Sequence, residues 1–448
     1  MELTKQQIKV IQDVQGHSII LAGPGSGKTR TIIEKIIYIF ENKIIPEPFG
    51  ILTITFTNSA SNEMKARLRQ KGLLEWDRIT IATFHSFSRY LLSCYGSDIG
   101  ISENFQIADS KKQEEIIEKI KPGIQKQQIN PLLSAIEAQK KQGVYPSVND
   151  EKLNPSFRNI YSDYQNKLHE ENLLDFQDLI HFSIELLNKS SLAARVFLNF
   201  YKYIFVDEFQ DTDHRQLELI KILSKTAIGS TIVADDDQSV FRWRGADNRN
   251  IKVIQQFLNS TTYHLGVNFR SDQAIVEAAN AVICQNKNRV DKQINSNSQR
   301  RGKIFLNTFN SEEEEARYIS SKIREYKSSG FVNDYGQISI IVRKRYRAND
   351  VIKALDKERI TWIDRSKFNY DEGWETNFAL NIIGQACEPN SSIRYNELLT
   401  SIDISNIVNY DEAINFLELL RVDICKEIPC NPSIKEINEV LNCRDLPT

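Results

Sequence analysis

Over residues 1–90, short apolar runs alternate with stretches that place an apolar side chain every three or four positions, the pattern of strands and helices taking turns in an α/β sheet. Residues 18–21, 51–56 and 79–84 have the length and β-branched content of buried strands, and residues 31–37 read as a helix. From residue 86 to 199 the period is helical. Residues 110–120 and 159–171 carry apolar positions at helical spacing amid many charges. Strands return at residues 203–206 and 230–234, so one parallel-sheet domain interrupted by a helical insertion is expected. Beyond a helix over residues 272–283, the polar, Asn-rich and basic stretch 285–303 reads as a loop or linker. Residues 304–307 and 338–342 as strands, with a helix over 312–327 between them, predict a second α/β unit. The tail from residue 376 is helical and less patterned.

Composition changes this picture little. The chain has 448 residues, 26% of them charged and 41% hydrophobic, which is ordinary for a water-exposed globular chain of roughly three domains. A net charge of −2 means that any affinity for nucleic acid must come from local basic and aromatic patches. No apolar run reaches membrane-spanning length, and the polar N-terminus lacks a signal-peptide core. A cytoplasmic location without a membrane partner is therefore expected. The six cysteines form no CxxC pair, which favours reduced thiols over a metal staple.

Candidate chemistry begins after the first strand, at Ala22-Gly23-Pro24-Gly25-Ser26-Gly27-Lys28-Thr29-Arg30. A glycine-rich turn between strand and helix lets backbone N–H groups wrap a polyphosphate at a helix N-terminus. Lys28 then reaches the terminal phosphates and the Thr29 hydroxyl holds Mg²⁺. Asp207 and Glu208 close another apolar strand, at the end that faces the ligand crevice in open α/β sheets. Asp207 suits the Mg²⁺ shell, and Glu208 suits orienting and deprotonating a water for phosphoryl transfer. Gln238, after the next strand, is placed to sense a γ-phosphate. Phe269-Arg270 offers a ring beside a guanidinium able to stabilise transition-state charge, or an ordinary surface arginine. ATP and Mg²⁺ are the expected cofactors.

The order of these motifs resembles superfamily 1 DNA helicases of the UvrD/Rep/PcrA type. The resemblance runs from Leu3 to Asp364, through Thr55-Phe56-Thr57-Asn58, Thr83-Phe84-His85, Leu174-Asp175-Phe176-Gln177-Asp178-Leu179, Asp235 to Ala246, and Asn268-Phe269-Arg270. It implies a RecA-like P-loop NTPase domain 1A over 1–90 and 200–275, a helical insertion 1B over 91–199, an incomplete second RecA-like domain 2A over 276–375, and the start of a 2B-like helical subdomain over 376–448. It also implies that Gln7 reads the adenine, that the Phe269 ring stacks on it, and that translocation on single-stranded DNA runs 3′ to 5′. Phe56, Phe241 and Trp243 are then candidates for base stacking, which tolerates any sequence, with core packing as the alternative for each. Arg244 and His85 would stack or meet phosphate, and Asn58 and Thr83 would bond the DNA backbone. Arg343, in the basic run Arg343-Lys344-Arg345-Tyr346-Arg347, is either a DNA contact or part of a solvated face.

The family's motifs V and VI, the latter a source of a second arginine for the γ-phosphate, are not found. The expectation is an ATP-dependent 3′–5′ DNA helicase of repair or related DNA metabolism, acting on single-stranded or 3′-tailed duplex DNA. This chain would be its N-terminal portion, binding ATP with weak or absent hydrolysis of its own. The alternative is a nucleotide-gated DNA-binding or regulatory subunit, for example the partner of a nuclease in phage defence.

Overall fold

The computed structural model describes residues 2–146, 153–189, 192–239, 247, 249–286 and 292–364. The chain divides into two compact units, Met1–Phe305 and Leu306–Thr448. The first unit opens with α1 (Lys5–Gln12), β1 (Ser18–Ala22), α2 (Lys28–Glu41), β2 (Gly50–Thr55), α3 (Asn58–Gln70), β3 (Ile79–Thr83) and α4 (Phe84–Tyr95). An insertion follows, with β4 (Gln106–Ile107), α5 (Ser110–Ile120), α6 (Lys126–Lys141), α7 (Pro155–Glu170), β5 (Leu173–Leu174), α8 (Phe176–Asn188) and α9 (Leu192–Phe200). The chain then re-enters the sheet through β6 (Tyr201–Val206), α10 (His214–Ser224), β7 (Gly229–Ala234), α11 (Arg249–Leu258), β8 (Thr261–Leu265), β9 (Val267–Asn268), α12 (Gln273–Ile283) and β10 (Asn295–Ser296).

Six strands form one sheet in the order β3-β2-β6-β7-β1-β8, and every pair is parallel. Parallel strands are covered on both faces, which is why they read as unbroken apolar runs. In β1, Ile19 and Leu21 join the core beneath α4, α8 and α10, whereas Ile20 and Ala22 join the core beneath α1, α2 and α3. The α/β class with a helical insertion is thus as expected. The insertion has a core of its own around Ile116, Ile117, Ile136, Tyr161, Tyr164 and Leu168. Its two-residue strands β4 and β5 pair in parallel and were not anticipated. Because all six strands point the same way, the residues after Thr83, Thr55, Val206, Ala234 and Ala22 emerge along one edge.

The loop or linker expected over 285–303 is loop where it is described, at 285–286 and 292–303, except for β10, which pairs with β9; Asn295 N–H donates to Gly266 O at 2.8 Å, and Ile294 is 4% exposed, so this stretch is tied to the first unit. One expectation is corrected. Residues 304–307 and 338–342 form no strand. No partner strand exists for them among the described residues of the second unit, so Leu306 and Ile341 stay 94% and 91% exposed. The described part of that unit is α13 (Glu312–Ser328) and α14 (Ala348–Lys357), packed about Ala316, Ile323, Val351, Leu355 and Ile360. The expected helical tail over 376–448 lies outside the described residues.

A buried lysine beneath the sheet yields a stability prediction. Lys35 of α2 is 2% exposed, with its ammonium 3.4 Å from Ser18 Oγ. Burial lowers its pKa from 10.5 to about 8, partly offset by Asp13. The folded state therefore binds this proton less tightly than the unfolded chain. The cost of burying the charge is full below pH 8 and fades as pH rises towards 10.5. Lys35→Met should stabilise the protein at pH 7 by up to about 3 kcal/mol, with a smaller gain at pH 10. Urea unfolding at both pH values checks this; a variant less stable at pH 7 contradicts it.

Candidate functional site

The glycine-rich loop joins β1 to α2 and needs its glycines. Gly25 and Gly27 have φ of +67° and +81°, and a side chain on Gly23 would run into Ile294. The loop is tied from several sides. Phe269 N–H donates to Gly25 O at 2.8 Å, Asn268 Nδ2 donates to Pro24 O at 2.8 Å, and Ser26 Oγ donates to Gly23 O at 2.7 Å. Gln7 is buried and fully engaged: Nε2 donates to Ser26 O at 3.2 Å, while Oε1 accepts from Thr4 N–H at 2.9 Å. In this structure Gln7 braces the loop. Arg30 continues α2 with its guanidinium 3.9 Å from Glu34. Phe269 is half-buried and Arg270 is exposed.

The two acidic and basic halves of the pocket meet across the sheet. Thr29 Oγ1 donates to Asp207 Oδ2 at 3.2 Å. Lys28 Nζ is buried, 3.3 Å from Glu208 Oε2 and 3.8 Å from Asp235 Oδ2, with no hydrogen-bond partner among the described residues. An ammonium so placed suits phosphate oxygens. Burial and the Glu208 charge push Asp207 up to about 6, and the same two causes raise Asp211 to about 6. The pocket is rich in carboxylate, and a hydroxyl beside a carboxylate is a donor set for Mg²⁺. Glu208 sits at φ 50°, a left-handed conformation that costs a non-glycine residue energy and is concentrated at active sites. Gln238 Nε2 donates to Asp235 Oδ2 at 2.6 Å.

One residue between these groups carried no role in the sequence reading. Gln210, 2% exposed, donates through Nε2 to Glu208 Oε2 at 2.7 Å and accepts through Oε1 from Asp235 N–H at 2.9 Å. It fixes the Glu208 carboxylate and ties it to the end of β7. Its only sequence signal was its place inside Asp207-Glu208-Phe209-Gln210-Asp211.

The other half of the same sheet edge holds four of the candidate DNA residues, Phe56, Asn58, Thr83 and His85. Strands lie ~4.8 Å apart, so the end of β3 is about 19 Å from that of β1. Phe56 is half-buried after β2, and Asn58 is exposed as the first residue of α3. Thr83 is buried, and its hydroxyl caps α4 by accepting from Ser86 N–H at 3.2 Å. His85, second in α4, meets the edge of Phe176 at 5.4 Å between centroids. Burial, and then the charge of Lys141, lower the His85 pKa, so the imidazole is neutral at pH 7. Phe176 opens α8 and is 49% exposed. It stood inside a motif in the sequence without a role, because its exposure depends on the insertion's packing. Phe241, Trp243 and Arg244 lie outside the described residues. Arg343 is exposed in the second unit.

No helix among the described residues is long and apolar enough to cross a membrane. The family model for the UvrD/REP helicase N-terminal domain matches residues 3–259, and that for the UvrD-like helicase C-terminal domain matches residues 263–386. Among similar relatives, a probable DNA helicase II homolog of Mycoplasma capricolum subsp. capricolum is 35% identical over 374 residues, 80% of this chain and 51% of that protein. The ATP-dependent DNA helicase PcrA of Staphylococcus epidermidis is 32% identical over 380 residues, 82% of this chain and 52% of that protein. The ATP-dependent DNA helicase Rep of Buchnera aphidicola subsp. Schizaphis graminum is 32% identical over 371 residues, 81% and 56% respectively. The chain spans about half the length of these curated relatives.

Proposed function

This chain belongs to the UvrD/REP helicase family, and we propose that it forms the ATP-binding and DNA-gripping part of an ATP-dependent motor that moves 3′ to 5′ along single-stranded DNA. The observation that carries this reading is the Thr29–Asp207 hydrogen bond of 3.2 Å, with Lys28 beside Glu208 at 3.3 Å. It brings two motifs 178 residues apart into direct contact. Mg²⁺-ATP supplies the phosphoanhydride bond whose cleavage drives the motor. Lys28 leaves Glu208 to hold the terminal phosphates, and the loop N–H groups hold the others. Thr29 and Asp207 hold the metal. Glu208, freed from Lys28 and still oriented by Gln210, accepts the proton of the attacking water. Gln238 exchanges Asp235 for the γ-phosphate, and Arg270 supplies charge from the exposed side. Phe269 and Gln7 border the adenine.

On the track side, Phe56, Phe241 and Trp243 stack on bases, and Phe176 joins them with His85 behind it as a neutral ring. Asn58, Thr83 and Arg244 act on the backbone, and Arg343, on the second unit, is a separate backbone contact. We assign residues 1–90 and 200–275 to domain 1A, 91–199 to 1B and 276–375 to 2A. Single-stranded or 3′-tailed duplex DNA is the ligand expected. The test is single-strand affinity measured with a non-hydrolysable ATP analogue, with ADP and without nucleotide. A severalfold difference between the three supports a nucleotide-driven grip; identical affinities contradict it.

Phe176→Ala should weaken single-strand binding by about 1–3 kcal/mol while sparing nucleotide affinity, and Trp243→Ala should do the same. Fluorescence anisotropy of a labelled oligonucleotide reads this effect. Loss of nucleotide binding with intact DNA binding would remove either residue from the track.

A further inference from the structure

Asp235, at the end of β7, is wholly buried and is the point where the nucleotide pocket's parts converge. Its backbone N–H meets Gln210, its Oδ2 receives Gln238 at 2.6 Å, and the same oxygen lies 3.8 Å from Lys28. Its other oxygen is held from outside the motifs. Lys292 Nζ lies 2.6 Å from Asp235 Oδ1, 2.5 Å from Asp236 Oδ1 and 3.2 Å from Asp237 Oδ2. The Lys292 side chain is 5% exposed. The three carboxylates come within 4.8 Å of one another, and the cation among them is this ammonium. Burial disfavours the charge on Lys292, but Asp235 and Asp236 outweigh it and the net displacement of its pKa is upward. Two residues on, Ile294 abuts Gly23 of the phosphate loop. The segment bearing Lys292 is thus pinned to the loop as well as to β7.

This arrangement sets up a competition. Lys28 and Gln238 face Asp235 in this structure, and both are groups that a γ-phosphate would recruit. An Asp235 carboxylate with no other cation would retain them. Without the Lys292 charge, the buried aspartates would also repel the most highly charged nucleotide more strongly. We propose that Lys292 is a positioning residue of the nucleotide pocket, which holds Asp235 and its two neighbours so that Lys28 and Gln238 are free to engage a γ-phosphate, and thereby sets the preference for ATP over ADP. The inference rests on the ATP reading above and adds to it a lysine from a segment whose sequence resembled a linker.

The experiment titrates the full chain with Mg²⁺ and a fluorescent, non-hydrolysable ATP analogue, and separately with the matching ADP, in wild type, Lys292→Met and Lys292→Arg. Lys292→Met should weaken the ATP analogue about tenfold or more and ADP no more than about threefold, as expected for stranding one side of a buried charge pair near a third charge. Lys292→Arg should restore most of the difference. A merely structural lysine would shift both nucleotides together. If Lys292→Met does not fold by circular dichroism, Lys292→Met/Asp236→Asn keeps the pocket's net charge and should discriminate within about threefold of wild type. A folded Lys292→Met with an unchanged ratio, or a folded, charge-balanced double variant without discrimination, overturns the proposal. If wild type binds and Lys28→Ala does not, the ATP reading stands whatever Lys292 does. If wild type binds neither nucleotide, both fall.

Discussion

Lys140→Met is expected to destabilise the protein by about 3–5 kcal/mol, because it strands two carboxylates in the core of the insertion. Lys140 Nζ lies 2.6 Å from Asp175 Oδ2 and 2.7 Å from Asp178 Oδ1, and the lysine side chain has no exposure. Tyr164 Oη donates to Asp175 at 3.2 Å, while Tyr145 Oη and Gln165 Nε2 donate to Asp178 at 2.9 and 3.2 Å. Even with its lysine, Asp175 is raised above the ordinary carboxylate range, first by burial and then by Asp178. A carboxyl with a raised folded pKa binds its proton more tightly folded than unfolded, so its stabilising effect is lost as pH climbs through that range. Removing Lys140 raises it further. The penalty should therefore be largest near pH 8 and shrink as falling pH protonates Asp175. Asp175 also caps α8, accepting from Gln177 and Asp178 N–H at 3.0 Å, one residue before Phe176. Single-strand affinity should fall along with stability. Thermal unfolding across pH is the check; a loss under about 1 kcal/mol at pH 8 would mean that the triad is dispensable.

Sequence and structure agree where a local signal was sufficient. The helix expected over 110–120 is α5, residue for residue. The runs at 18–21, 203–206 and 230–234 are strands because a parallel sheet buries both faces, and continuous apolarity leaves little else for them to be. The glycine-rich loop between strand and helix and the acidic strand end were readable because glycine at positive φ and carboxylates after an apolar run are local requirements. What could not be read is set by distant partners. Gln210 bonds to both Glu208 and Asp235 only because β6 and β7 are neighbours. Lys292 looked like one more basic residue in a polar stretch, and its three aspartates lie more than fifty residues earlier. Residues 304–307 and 338–342 had the composition of strands, but a strand forms only against another. Gln7, expected at the adenine, spends both ends of its amide on Thr4 and Ser26, a use no spacing rule separates from ligand reading.

Lys28→Ala should weaken ATP binding by about 2–5 kcal/mol, from about thirtyfold to several thousandfold in Kd. The ammonium is buried and confronts Glu208 and Asp235. Its removal therefore deletes the phosphate's cation and leaves two carboxylates pointing at the incoming charge. Without nucleotide, single-strand affinity should be near wild type, because Phe56, Asn58, Thr83 and His85 follow β2 and β3, away from β1 along the sheet edge. The difference in DNA affinity between nucleotide states should disappear. Titration with a fluorescent ATP analogue, alongside anisotropy with labelled oligonucleotide, separates these effects. A change in ATP affinity of less than about threefold would mean that Lys28 does not face the phosphates.

The most direct test of the pocket is a crystal structure of the full chain with Mg²⁺ and a non-hydrolysable ATP analogue. The account predicts Lys28 Nζ turned from Glu208 onto the β- and γ-phosphate oxygens, a metal ion held by Thr29 Oγ1 and the Asp207 carboxylate, and Lys292 still on Asp235. A nucleotide bound elsewhere, or a triphosphate in the cleft with Lys28 still paired to Glu208 and Asp235, would contradict it.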